Sequence, residues 1–302
     1  MHDEMLCAAT GICQQIVGEK FVKKFLRWLG FVAAGLAGVA LIGLAYIYFA
    51  SERVLDRQYA VADKAALVVP SDAVEIAEGR RIAQLGGCLH CHGEKLTGGV
   101  VEDIPNLVRM VAPNISALLP AYSDTQIATV LRKGVKPDGQ SVLFMPSEMF
   151  RHLSDADLAR LVAYLRTVPA TPEGVQEKTE VRILGRLILA KGDFSPAASN
   201  IESLPAAVAS FDANDPVSRG HYLAMNACSE CHGQDLQGFA TIGAPALVVA
   251  KGYSLEQFTR LMQQGVGLGE RQFKLMSPTA KARFTQFRPD EVAAVYAFLQ
   301  TL

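Results

Sequence analysis

The chain has 302 residues, room for two modest domains and an extra segment, and 50% of them are apolar. With a mean hydropathy of +0.20, some hydrophobic length must be sequestered. Its 29 basic and 30 acidic residues leave a net charge of -1, which excludes the global field that nucleic acid would need, and six cysteines are too few and too clustered for a secreted disulfide framework.

Residues 1–21 are neither basic nor periodic. The run VKKFLRWLG reads like an ordinary start, so translation is expected to begin at Val22, leaving Cys7 and Cys13 outside the mature chain. From Trp28 to Ser51 there are 24 uncharged residues between Arg27 and Glu52. At about 1.5 Å per residue this makes roughly 36 Å of helix, enough to span a bilayer. Trp28, Tyr46 and Tyr48 stand where interfacial aromatics belong. The competing reading is a cleaved signal whose basic region is Lys23, Lys24 and Arg27, but the apolar run is too long for one. Residues 52–71 then form a polar tether.

A helix capped near Ser71 and Asp72 ends at Gly86 and Gly87, just before CLHCH at Cys88 to His92. The same pattern returns as CSECH at Cys228 to His232. In C-x-x-C-H two thiols share one helical turn beside an imidazole, which is the haem c attachment pattern. Each thiol can add to a vinyl group, and the histidine can bind the iron from the proximal side. A redox or zinc dithiol is the rival reading for one such motif. Two motifs inside one larger repeat argue against it.

After the first motif come loop signals through Gly98 and Gly99 and the segment APNIS at Ala112 to Ser116. Ser123 with Gln126 makes a capping box for a helix ending at Gly134. Ser154 starts another, with Leu158, Leu161, Val162 and Leu165 at helical spacing before Pro169. Residues 171–210 form a linker containing VRILGRLILA at Val181 to Ala190. Ten residues with Arg182 and Arg186 cannot cross a membrane, so a helix packed between the domains is expected, or failing that one lying on a membrane surface.

The second half repeats the first. GEKLTGG matches GQDLQGF at an offset of 140, APNI matches APAL at 132, Tyr122 and Met145 match Tyr253 and Met276 at 131, and Leu158 matches Val292 at 134. Residues 72–170 and 211–302 are therefore two copies of one domain. Met145 and Met276 each lie eleven residues beyond a helix-ending glycine, Gly134 or Gly265. That shared place nominates them as distal ligands opposite His92 and His232, since a thioether favours ferrous iron. Met149 and His152 are rivals in the first half. A proximal imidazole commonly donates its second N–H to a carbonyl, and Pro113 and Pro245 are the candidate acceptors, with Pro105 a rival to Pro113.

On these motifs the two units resemble class I cytochrome c domains, and the chain is similar to membrane-anchored dihaem c-type cytochromes of bacteria. The segments LFMP, HLSDADLARLVAYLR and APNIS are similar to those of cytochrome subunits that drain periplasmic dehydrogenases. The resemblance implies an all-α fold of two tandem cytochrome c domains behind one transmembrane helix, with two haem c groups. It also implies that residues 1–27 face the cytoplasm and residues 28–51 anchor the chain in the inner membrane, with the domains in the periplasm. The implied role is electron transfer between a dehydrogenase or quinol-oxidising donor and a terminal acceptor. A dihaem enzyme of the peroxidase or thiosulfate-oxidising type, or a subunit of a terminal oxidase, is the alternative. Seven basic residues from Lys251 to Arg288, against Glu256 and Glu270, read either as a solvated face or as a docking patch for an acidic partner.

Overall fold

The computed structural model describes residues 12–61 and 67–302. The suggestion about the start of translation, with Cys7, falls largely outside the described residues. Helix α1 (Ile12–Leu55) belongs as far as Glu52 to one unit, and a compact body begins at Arg53. Its stretch from Phe21 to Leu55 is long and apolar enough to cross a membrane, and its large side chains, from Phe21 to Phe49, are exposed. No proline interrupts it.

The expected tether is partly fixed to the body. Arg57 pairs with Glu202 at 2.9 Å, and the Tyr59 N–H donates to the Gly139 carbonyl at 2.8 Å. Gly139 has φ +82°, and a Cβ there would lie 2.3 Å from Gln58 Oε1. The tight turn at Lys136 to Gln140 therefore holds the chain where a free linker was expected.

The first half of the body begins with α2 (Ala73–Leu85), where the Asp72 carboxylate accepts from the Glu75 N–H at 3.0 Å. Then come α3 (Cys88–His92), a hairpin of β1 (Gly99–Ile104) and β2 (Val108–Ala112), and α4 (Ile115–Leu118). The capping box of Ser123 and Gln126 starts α5 (Asp124–Lys133), which Gly134 ends at φ +66°. Helix α6 (Ser147–Phe150) follows the methionine loop, and α7 (Asp155–Thr167) closes the half, capped by Ser154. Leu158, Leu161, Val162 and Leu165 of α7 are buried against Leu96, Ile127 and Leu131. Each contributes about 1.5–3 kcal/mol of burial.

The linker departs from the sequence expectation. Strand β3 (Glu180–Val181) joins the hairpin beside β2, and α8 (Ile183–Lys191) packs on the turn of that hairpin rather than between the two halves. The Leu184 N–H donates to the Asn106 carbonyl at 2.9 Å, and a Cβ on Gly185 would lie 2.4 Å from the Leu107 carbonyl oxygen. Only glycine allows that approach. Helix α9 (Ala197–Ser203) carries the chain towards the second half.

The second half uses α10 (Pro216–Ala227), α11 (Ser229–His232), α12 (Leu255–Gln264), α13 (Met276–Ala282) and α14 (Pro289–Leu299). Ser254 and Gln257 repeat the capping box, and Gly265 repeats the left-handed stop. Where the first half has its hairpin, the second closes the same stem at once, Phe239 bridging to Ala244 as Gly99 pairs with Ala112. The three-stranded sheet is thus an elaboration of a mostly helical fold of two cores.

In each half the leading and closing helices cross at a glycine. A Cβ on Gly79 would sit 1.9 Å from the Arg160 carbonyl oxygen, and one on Gly220 would sit 2.0 Å from that of Ala294. The halves then meet reciprocally. Arg81 of α2 reaches Glu291 of α14 at 2.8 Å, and Tyr222 of α10 reaches Asp157 of α7 at 2.5 Å. Arg283 Nε donates to the Leu85 carbonyl at 2.8 Å, and Asn226 Nδ2 to the His152 carbonyl at 3.2 Å. In both exchanges the residues occupy corresponding positions of the repeat.

Candidate haem-attachment sites

Both motifs sit on single-turn helices directly after a leading helix, so the two thiols of each are displayed on one short stretch. Cys88 and Cys91, like Cys228 and Cys231, are free thiols. Burial pushes Cys88 and Cys228 up to about 12, so both are protonated at neutral pH.

The segment after each motif folds back on it. The Gly98 N–H donates to the His92 carbonyl at 2.9 Å and the Gly238 N–H to that of His232 at 2.8 Å. These glycines have φ +77° and +94°, and a Cβ on either would lie 2.4 Å from the Ala112 carbonyl oxygen or 2.7 Å from that of Ala244. Leu96 and Leu236, both buried, hold positive φ between them and the motifs. The fold-back brings each AP segment to its histidine. His92 Nδ1 lies 2.9 Å from the Pro113 carbonyl oxygen, and His232 Nδ1 lies 2.7 Å from that of Pro245.

That contact has a chemical consequence. A carbonyl only accepts, so Nδ1 carries the proton and Nε2 keeps a free lone pair. Burial holds both imidazoles below their ordinary value of 6.5, against a smaller raising effect of the carbonyls. Each site therefore offers two thiols and one neutral imidazole nitrogen, a donor set that fits a covalently held haem.

The methionines lie on matching loops. Met145 precedes α6 and is half-buried beside the first core, and Met276 opens α13 half-buried beside the second. Ser147 Oγ ties the first loop to the Val130 carbonyl at 3.0 Å, and Ser277 Oγ ties the second to the Gly265 carbonyl at 2.5 Å. Pro146 is the cap of α6, whereas Pro278 stands in the first turn of α13, where a missing N–H costs nothing. This accounts for the different spacing of proline after the two methionines.

The rivals are engaged elsewhere. Met149 is fully buried, with its sulfur 3.9 Å from the Arg283 guanidinium. His152 accepts the Val208 N–H at Nδ1 at 2.8 Å and donates from Nε2 to Gln234 Oε1 at 2.9 Å, so neither ring nitrogen is available to a metal. The basic stretch from Lys251 to Arg288 is also partly consumed. Arg260 pairs with Glu270, Arg288 with Glu78 and Arg283 with Glu230, while Arg271, Lys274 and Lys281 are exposed. Sequence reasoning missed Arg81, Tyr222, Asp157, Glu291 and Arg283. The repeat register was the available signal, because each contact appears twice at equivalent positions.

Comparison with known proteins agrees with this architecture. The chain is 29% identical over 168 residues to the fructose dehydrogenase cytochrome subunit of Gluconobacter japonicus, covering 52% of this chain and 34% of that protein. It is 26% identical over 207 residues to the cytochrome c subunit of the quinone alcohol dehydrogenase of Gluconobacter oxydans, covering 62% and 42%. One subunit of the nicotinate dehydrogenase of Pseudomonas putida matches at 29% over 101 residues, 31% of this chain and 8% of that one. The matched parts thus span less than half the length of these relatives. The cytochrome c family profile matches twice, over residues 76–169 and 217–302, together more than half of the chain, and the chain belongs to the cytochrome c family.

Proposed function

We propose that the chain relays electrons in the periplasm through two haem c groups, from a dehydrogenase or quinol-oxidising donor to a terminal acceptor, with α1 as its inner-membrane anchor. The observation that carries this reading is the duplicated pair of imidazole-to-carbonyl contacts, His92 to Pro113 and His232 to Pro245. Cys88 and Cys91 would hold one haem and Cys228 and Cys231 the other. His92 and His232 would present Nε2 to the irons, and Met145 and Met276 would occupy the opposite side. Bound there, the haems supply one-electron chemistry without making or breaking bonds. The protein's part is to keep each histidine as the Nδ1–H tautomer, to wall the sites with two apolar cores, and to keep the two attachment segments adjacent. Relatives named as dehydrogenase cytochrome subunits support a dehydrogenase as the donor.

The test is a haem count on the full chain matured in a bacterium that attaches haem c. An alkaline pyridine spectrum should give two covalent haems per chain, recovered in the membrane fraction. A single haem, or none that survives acid extraction, would overturn the reading.

A further inference from the structure

Arg283 stands in the interface between the two attachment segments. Its residue is 8% exposed. Nε donates to the carbonyl of Leu85, three residues before Cys88, at 2.8 Å. One terminal nitrogen donates to Glu230, the residue inside CSECH, at 2.7 Å, and the other lies 3.9 Å from the Met149 sulfur. The guanidinium fills the space beside Gly87, where an added Cβ would meet it at 3.2 to 3.3 Å. Gly86 and Gly87 make the first half one residue longer between its leading-helix glycine and its first cysteine than the second half is after Gly220. That extra glycine has φ +79° and gives Arg283 its seat.

One side chain therefore bonds the approach to the first motif and the interior of the second. Its repeat equivalent is His152, seven residues after Met145 as Arg283 is seven after Met276. His152 makes the reciprocal contacts to the second half, but burial disfavours its charged form. The interface thus carries a fixed cation from one half and a neutral group from the other.

We propose that Arg283 is a shared positioning and electrostatic residue for both redox sites: it holds the two attachment segments in register, and its buried charge favours the reduced state at each. The inference rests on the two-haem reading above. Gaining an electron makes a site less positive, so a nearby cation in a low-dielectric interface raises its reduction potential. Glu230 opposes it partially, being itself a third exposed.

The experiment is a spectroelectrochemical titration of the full-length, membrane-extracted protein carrying Arg283→Gln, Arg283→Lys or Glu230→Gln. Haem content is counted first, so that failure of the two-haem reading shows there and not in the potentials. Arg283→Gln should lower both potentials, Glu230→Gln should raise both, and Arg283→Lys should stay near the parent. A merely structural role predicts shifts of the same sign in the Gln variants, since each breaks the same ion pair. Shifts of one sign, a shift confined to the second haem, or no shift in a variant with two haems would each overturn the proposal.

Discussion

Arg81 and Glu291 bond across the junction of the two halves at 2.8 Å, and the same two positions of the repeat are joined in the opposite sense by Tyr222 and Asp157. The carboxylate of Glu291 is only 4% exposed, with Arg219 and Arg288 each 3.6 Å away. Removing Arg81 takes two guanidinium hydrogen bonds from this buried carboxylate, which keeps the Arg288 N–H at 2.9 Å, and costs about 3 kcal/mol. Tyr222→Phe removes two neutral-donor hydrogen bonds, one to Asp157, which keeps Arg160 at 2.8 Å, and one from the Ser154 N–H, and costs about 1.5 kcal/mol. Urea titration of the haem-loaded protein should therefore place Arg81→Met well below Tyr222→Phe in stability. Equal losses would show that the junction does not depend on the buried pair.

The glycine crossings give a second expectation. With backbone oxygen 1.9 or 2.0 Å from the added methyl, Gly79→Ala and Gly220→Ala must each push the leading helix off the closing one, at a cost of about 3 kcal/mol. Because that crossing also fixes where the attachment helix starts, each variant should lose haem from its own half first. Thermal melts and haem content read in parallel check this.

His152 makes stability depend on pH with a definite sign. Burial lowers its folded pKa below the ordinary 6.5, outweighing the raising effect of its bond to Gln234, and Arg151 and His221 add smaller lowering effects. The unfolded chain then binds the proton more readily, so the contribution is full above the ordinary value and is lost as pH falls through the depressed folded one. His152→Gln keeps an acceptor and a donor without titrating. It should flatten the stability profile between neutral and mildly acidic pH, leaving the share of His221, whose pKa burial also lowers. An unchanged slope would assign the titration elsewhere.

Cysteine substitution separates the halves. Cys88→Ala with Cys91→Ala should leave one covalent haem per chain and loosen the core around Leu96, Leu131 and Leu161, while the second core keeps its order; Cys228→Ala with Cys231→Ala should do the converse. Each half is small, and a covalently held macrocycle supplies apolar surface its own core lacks. Hydrogen exchange resolved by half distinguishes this from collapse of both.

Much of this molecule is legible from its residues. Caps at Asp72, Ser123 and Ser154, the stop at Gly134 and the internal repeat are local signals, and the helices begin and end by them. The hairpin is not legible in this way, because GVVEDI has a charged, exposed face and β2 gains its second partner, β3, from about seventy residues downstream. The seat of α8 was missed for a related reason, since Gly185 matters only once the Leu107 carbonyl lies against it. The ion pairs of the junction join residues as far apart as Arg81 and Glu291. Only the coincidence of repeat positions, Arg81 with Tyr222 and His152 with Arg283, could have found them.

In the proposed function each half holds a haem between a histidine and a methionine with no position left open. Magnetic circular dichroism of the oxidised full-length protein, recorded across the far-red sulfur-to-iron charge-transfer region, tests it most directly. Two low-spin haems and a methionine band at the amplitude of two are expected, halved by Met145→Leu or by Met276→Leu. A resting high-spin haem, or a band that survives either substitution undiminished, would contradict it.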